Sequence, residues 1–595
     1  MELNFSIDEP VIVRSVDAAS FGVIPENPDN TEALQRAVDY MAENPGTRLA
    51  FAKAVYRFAS EKQIEIRNVT DGMLDGGDSV FLWSEKGYFS VVNVCRFSAE
   101  NMIIDWDWEN RYRLADMIRV VRADEESVEF EHFEVDEVQR NVWKSVNQYD
   151  PEGLTPGVEF GKEYEINYFQ PCVRSMEYPG GNHSIVHHDG LLQDMQPGEV
   201  YCLRYEMYGT NAFVVRESRH VTFRNVTIWS VPGMGWIITS ATAYTHFDHC
   251  TVAKKPGRNA NISATADSMH IGNSGGYVIV ENCDFSFAGD DAINIHDNVG
   301  LITEKTDSRT FIIQTRLVCS EGDTVGILRD DILDMDFRAV VEKKEVLDGG
   351  RLQKITFDRD LPEGCGVNWV TYNLKFSTMN YIFRNNYFHE NRARGLLLGA
   401  SRGLVENNVI YKTQGSAIWT VVDIEPRWSE GIGVRDLTIR NNKFISCDVN
   451  RWASCVYLRT LIPAGDSLSP VFRDITFENN LFEDCSGFAI SLRSCGDITI
   501  RNNTFRLTHP RRLELPERGA VEIEKSSGIR LIDNTVVKTP YYQGPLTRNR
   551  YPHANKGVVR CTLDREPLTI YADSLDAYEV KGTKLVKDGQ LSREA

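Results

Sequence analysis

Along most of the chain, apolar residues come in short alternating runs separated by Gly, Asn and Asp. That is the pattern of half-buried strands joined by turns. One stretch near the N-terminus differs. Between Asp29 and Met41 the apolar residues Leu34, Ala37, Val38 and Met41 follow helical spacing, and Asn30 or Thr31 can cap the start. From residue 221 the strand text becomes a repeat: VTFRNVTI (221–228), VIVENCDF (278–285), YIFRNNYF (381–388), LVENNVI (404–410), LTIRNNKF (437–444), ITFENNLF (475–482), ITIRNNTF (498–505) and a degenerate IRLIDNTVV (529–537). The first Asn of successive copies is 22 residues on from 385 to 407, 34 from 407 to 441 and 23 from 479 to 502. The unit is therefore about one coil of 22 to 24 residues, with occasional loop insertions.

Each unit reads as strand, Asn-containing bend, strand, and often a third apolar run such as Ala417-Ile418-Trp419 or Ala489-Ile490-Ser491. One such coil cannot bury its apolar side alone; stacked coils can, which predicts an all-β, right-handed parallel β-helix. The Asn positions would stack as a ladder and also tolerate the left-handed bend. The N-terminal helix would cap the exposed first coil. Hairpin signals at the spacing of an antiparallel sandwich are missing.

Two stretches break the repeat. Between Asn282 and Asn385, residues 304–376 read as a small antiparallel β module with a turn at Leu347-Asp348-Gly349-Gly350, and residues 106–212 read similarly. The expected organisation is a cap helix and first coils (12–105), an inserted β-rich module (106–212), central coils carrying an acidic site (213–303), a barrel-like inserted module (304–376), C-terminal coils (377–555) and a tail (556–595). Two insertions beside one β-helix would form the walls of a pocket.

Composition narrows the function. At 595 residues the chain exceeds the size of one compact core. Its net charge of −20 disfavours a nucleic-acid partner, which needs a basic face, and points to a neutral substrate. The 12 cysteines show no C-x-x-C pair, so they read as small buried residues rather than zinc ligands. No run approaches the ~18 apolar residues of a membrane span, and no secretory signal is visible at the N-terminus. The expectation is a cytoplasmic protein; a processed secreted or periplasmic form would carry the same sequence. A homodimer is compatible with the chain.

Aligning the third strands puts Met234, Asp267, Asp291, Arg394 and Ser416 in one column. Neighbouring coils lie ~4.8 Å apart, so Asp267 above Asp291 approaches like-charge contact, which raises one carboxylate and separates an acid from a base. Asp290 follows Gly289, where the bend can aim it outward. His270 falls over Asn294, and His296 flanks the same region. Arg394 continues the acidic column, where it can pair with a carboxylate or bind a sugar hydroxyl. The stretch Asp423 to Gly431 interrupts the repeat as a loop, and Trp428 beside Glu430 suits a sugar. Plainer readings stand beside these: a solvated Asp-Asp turn, core histidines and a structural ion pair.

Ala266-Asp267-Ser268-Met269-His270, Gly289-Asp290-Asp291-Ala292-Ile293-Asn294-Ile295-His296, Asn391-Arg392-Ala393-Arg394-Gly395 and Trp428-Ser429-Glu430-Gly431 together resemble glycoside hydrolase family 110. Those enzymes are α-galactosidases that remove terminal α-1,3-linked galactose with inversion and without a metal. The resemblance implies that Asp290 and Asp291, with Asp267 and Glu430, supply acid and base. His270, Asn294, His296, Arg394 and Trp428 are then candidate substrate-binding residues. It also implies an oligosaccharide substrate and no metal or cofactor, while the acidic charge and the lack of a long apolar run lead to the expectation of no nucleic-acid or membrane partner. Ser429 stands where an aromatic residue is expected, and Asp297 where a Gly is usual; both are expected to line the pocket. Two other classes fit the same column. One is a pectate-lyase-type enzyme with Ca²⁺ on Asp267, Asp290 and Asp291 and Arg394 as base; the other is a non-catalytic β-helical carbohydrate-binding protein.

Overall fold

The computed structural model describes residues 3–109, 113–133, 135–138, 142–166, 173–258, 261–334, 337–425, 428–485, 488–506 and 521–538, with the strand residues 559–561, 570–572, 578–581 and 584–587 beyond them. The chain winds as a parallel β-helix. One 14-stranded sheet forms one side of the solenoid and a 24-stranded sheet forms the rest. In the first sheet the strands Trp236–Thr239, Met269–Gly272, Ile293–His296, Leu396–Gly399, Ile418–Ile424 and Val456–Leu461 stack in parallel with Trp236, Met269, Ile293, Leu396, Ile418 and Val456 in register. Inward positions repeat from coil to coil, so like packs on like: Phe444, Phe482 and Phe505 stack at 4.8 and 5.1 Å along the axis.

The repeat's two asparagines divide the work that the sequence assigned to one position. The first of each pair takes the left-handed bend, with φ between 52° and 57° at Asn225, Asn282, Asn385, Asn407, Asn441, Asn479 and Asn502. The second builds the ladder. Asn386, Asn408, Asn442, Asn480, Asn503 and Asn534 are buried, and each Oδ1 from Asn408 onward accepts both the backbone N–H and the Nδ2 of the preceding rung at 2.9–3.1 Å. Where Asn is missing, Cys250 and Cys283 hold the rung position, and Thr245 to Val252 is a further coil that carries His249 at the left-handed bend. The ten cysteines whose side chains are described are free, and nine of them are buried.

Both insertions leave the coil path intact. Cys95–Trp106 pairs with Arg219–Ile228 across the first, and Gly276–Glu281 pairs in parallel with Tyr381–Arg384 across the second. The first insertion carries a seven-stranded antiparallel sheet running from Ala115–Ala123 to Val200–Arg204, with its own core around Trp143 and Tyr201. The second closes as a six-stranded barrel from Val299–Lys305 to Val370–Asn373, packed around Phe311 and Phe357. The helix Thr31–Glu43 buries Leu34, Ala37, Val38 and Met41 against the first coils. Asn30 is its N-cap by position, but Asp29 accepts from the Thr31 N–H at 3.0 Å while Asn30 serves Ile24.

At the C-terminal end, residues 539–558 and most of the expected tail from 556 lie outside the described residues. The strands that are placed there, Ile570–Ala572, Tyr578–Lys581 and Lys584–Lys587, pair in parallel with the preceding coil. The solenoid thus runs into the tail.

Candidate active site

A cavity of about 250 Å³ opens on the outer face of the 14-stranded sheet. Its floor is the turn that leads into each strand of this sheet. Register puts Asp267, Asp291 and Arg394 two residues before Met269, Ile293 and Leu396, which stacks them in consecutive coils. Asp290, displaced by the bend after Gly289, joins them: Asp267, Asp290 and Asp291 each offer a carboxylate oxygen within 4.8 Å of the others. All three are buried.

Each carboxylate has a distinct set of partners. Arg394 forks onto Asp291, Nε to Oδ1 at 2.7 Å and Nη2 to Oδ2 at 2.9 Å, and its backbone N–H adds a third donor at 3.1 Å. Asp267 meets His270 Nδ1 at 2.8 Å through one oxygen and accepts the Asp291 N–H at 3.1 Å through the other. Tyr208 donates its hydroxyl to Oδ2 of Asp290, and the guanidiniums of Arg392 and Arg394 stand 3.8 and 4.0 Å from Oδ1. Arg392 is itself tied to Glu163 at 3.0 and 3.1 Å.

Burial dominates the protonation of the group. It raises Asp291 to about 7, with Arg394 opposing and Asp290 and Asp267 adding repulsion. Burial also raises Asp267, against the His270 bond, with Asp290 again reinforcing. Three carboxylates beside one forked arginine cannot all shed their protons cheaply. Every oxygen of Asp291 and Asp267 has a hydrogen-bond partner, whereas Oδ1 of Asp290 has none among the described residues and is the carboxylate oxygen of the cluster left open to a ligand.

Glu430 reaches the cavity on a hairpin, where Ser429–Glu430 pairs antiparallel with the end of Ile418–Ile424 and Asp423 stands opposite Glu430. Burial raises Asp423 to about 7, helped by Glu425 and Glu430. Glu430 is lowered although it is buried, through His296, His270, Arg394 and the Asn294 amide. Burial pushes His296 itself down to about 4, so that ring is neutral at pH 7. The lowering of Glu430 therefore rests on Arg394 and on His270, which Asp267 holds above the ordinary histidine value against its burial. The two rings meet Nε2 to Nε2 at 3.1 Å, so one hydrogen lies between them.

Eight of the nine site residues read from sequence line this one cavity: Asp267, Asp290, Asp291, Glu430, His270, Asn294, Arg394 and Trp428. His296 does not. It lies behind His270, 3.6 Å from Glu430, and is buried. Ser429 and Asp297 do not line it either, contrary to expectation. Strand alternation turns the Ser429 hydroxyl to the Glu425 carbonyl at 3.1 Å, and Asp297 binds the Thr378 backbone N–H at 3.0 Å and the Thr378 hydroxyl. Sequence reasoning missed Arg392, Trp419, Asp423 and Trp452, and Glu165, Met207 and Tyr208 from the first insertion. Three of these were within reach: Arg392 lies in the Asn391–Gly395 motif, Trp419 in the third-strand run Ala417-Ile418-Trp419, and Asp423 at the start of the loop read as functional. Nothing periodic marks Tyr208.

The aspartate group is also the one cluster among the described residues with the geometry to hold a cation, and three carboxylates are a suitable donor set for Ca²⁺. Here their lone pairs are engaged by Arg394, His270, Tyr208 and a backbone N–H. An ion would have to displace these bonds beside a fixed guanidinium.

Comparison with known proteins agrees with this architecture. Residues 363–460 match the family model described as "Right handed beta helix region". "Alpha-1,3-galactosidase A" of Bacteroides fragilis (strain YCH46) is 30% identical over 304 residues, 49% of this chain and 49% of the relative, so the match spans about half of that protein's length. "Alpha-1,3-galactosidase B" of Bacteroides thetaiotaomicron is 23% identical over 546 residues, covering 82% of this chain and 86% of its own. "Alpha-1,3-galactosidase A" of Shewanella woodyi is 22% identical over 567 residues, covering 86% and 89%. The chain is a right-handed parallel β-helix protein, similar along most of its length to proteins named α-1,3-galactosidase, in line with its resemblance to glycoside hydrolase family 110.

Proposed function

We propose that the chain is an inverting, exo-acting glycoside hydrolase that removes a terminal α-linked galactose, or a closely related sugar, from an oligosaccharide without a metal. The cavity carries this reading. At about 250 Å³ it falls below the roughly 300–1,000 Å³ of drug-sized ligand sites, which suits one terminal sugar better than a chain. Trp419, Trp428 and Trp452 give it aromatic walls for the apolar faces of a pyranose. The names of the relatives favour galactose.

In this reading Asp290 donates its proton to the glycosidic oxygen. Glu430, ionised and outside the tight aspartate group, takes a proton from the water that attacks the anomeric carbon from the opposite face. Inversion needs two carboxyl groups ~6.5–9.5 Å apart with water between them, which favours Glu430 over a second aspartate of the cluster. Arg394 and Asp291 fix the floor on which the sugar rests. A pectate-lyase mechanism fits less well: six carboxyl groups against two arginines line the cavity, which repels a polyuronate.

The test is turnover of an α-1,3-galactosyl disaccharide followed by proton NMR, with the β-anomer of galactose expected first and no change on adding EDTA. Asp290→Asn and Glu430→Gln should each lose 10²–10⁴-fold in kcat. Appearance of the α-anomer first would refute inversion. Loss of activity with chelator, together with an ultraviolet-absorbing unsaturated product, would move the chain to the lyase class.

A further inference from the structure

Asp290 stands off the column shared by Asp267 and Asp291, so the coil does not fix its side chain as it fixes theirs. Its one hydrogen bond among the described residues comes from Tyr208, 82 residues earlier, in the segment by which the first insertion returns to the β-helix. Four residues before Tyr208, the buried Arg204 donates through Nη1 to the backbone carbonyls of Thr265 at 3.1 Å and Gly289 at 2.9 Å. A single short segment therefore grips the bend twice, by the carbonyl just before Asp290 and by the carboxylate itself.

Tyr208 also sits at φ +53°, where a side chain bearing a Cβ is strained and persists only when its surroundings over-determine it. Its ring lines the cavity. Burial and the charges of Asp290 and Asp267 push its hydroxyl well above the ordinary tyrosine value, so it remains a donor at any working pH.

We propose that Tyr208 is a positioning residue for proton donation: its hydroxyl holds Oδ2 of Asp290 so that Oδ1 faces the glycosidic oxygen, and it stays bonded to the carboxylate left behind. The inference rests on the reading of Asp290 as the acid. In the step itself the Asp290 O–H bond breaks and its proton goes to the glycosidic oxygen, which keeps the electron pair of the breaking C–O bond. Tyr208 keeps its own proton throughout. A donor on the departing carboxylate helps the proton leave, and the help is greatest when the leaving group is poor and needs full protonation.

Tyr208→Phe is the test, with unchanged melting temperature as the folding control. On an α-1,3-galactosyl disaccharide it should lower kcat roughly 10–100-fold with little change in KM, and move the alkaline limb of the kcat profile to higher pH. On a 2,4-dinitrophenyl α-galactoside, whose leaving group needs no proton, kcat should stay within a few-fold. Equal losses on both substrates, or no loss on either, overturn the proposal. A second readout does not depend on turnover. Infrared difference titration of protein labelled with ¹³C-aspartate should show one carboxyl titrating at higher pH in Tyr208→Phe than in the wild type. An unchanged titration overturns the proposal whatever the activity, whereas a shifted titration in a wild type that turns over no galactoside leaves the positioning intact and removes only the assigned reaction.

Discussion

The two asparagines of each repeat offer a direct test of how the solenoid is held, because neighbours of identical chemistry should respond differently. Asn442 is buried, and its side chain makes four bonds: Oδ1 accepts the Asn408 backbone N–H at 2.9 Å and the Asn408 amide at 3.0 Å, and Nδ2 donates to the Val405 carbonyl at 2.9 Å and to Asn480 Oδ1 at 3.1 Å. Asn442→Ala strands a buried N–H on one side and strips a donor from a buried carbonyl on the other. At about 1–3 kcal/mol for each unsatisfied group, the loss should be about 2–6 kcal/mol. Asn441, one residue earlier, is exposed at φ 56°. Asn441→Gly should be close to neutral, and Asn441→Ala should cost only the left-handed strain of about 1–2 kcal/mol. Urea unfolding of the full chain, followed by circular dichroism, measures all three. Equal costs for Asn441→Ala and Asn442→Ala, or a cost for Asn442→Ala below about 1 kcal/mol, would refute the division of roles.

Two further outcomes follow from the buried charges. Arg394→Met leaves three buried carboxyl groups without their forked partner, which should cost about 3–5 kcal/mol above neutral pH and less at pH 5, where the cluster takes up protons; thermal melts at the two pH values check this, and a pH-independent loss would contradict it. Burial raises Asp297 from 3.8 to about 6, so the folded chain keeps a proton that the unfolded chain has lost, and stability falls as pH rises across that window. The full effect is about 3 kcal/mol at 1.36 kcal/mol per pH unit. Asp297→Asn should remove that slope, gaining on the wild type by this amount between pH 4 and pH 8; parallel stability profiles would show that Asp297 is not the titrating group.

The sequence by itself determined the coil. Its period, the parallel β-helix, the helix over the first coil and the two interruptions were legible because a solenoid repeats one local environment, and a repeated environment leaves a repeated residue pattern. The column of Asp267, Asp291 and Arg394 was legible for the same reason, since register carries a sequence period directly into a stack. The coil Thr245 to Val252 escaped because it carries neither asparagine: His249 takes the bend and Cys250 the rung. Tertiary structure decided what does not repeat. Which asparagine bends and which one bonds depends on burial; His296 falls behind His270, and Ser429 and Asp297 turn away from the cavity, because neighbouring elements occupy the other side. The contributions of Tyr208, Met207 and Glu165 come from an insertion far off in sequence, whose docking on later coils is fixed by contacts such as Arg392 with Glu163 and Arg204 with Gly289. Periodicity reports the neighbours along the solenoid axis, and those contacts are made across it.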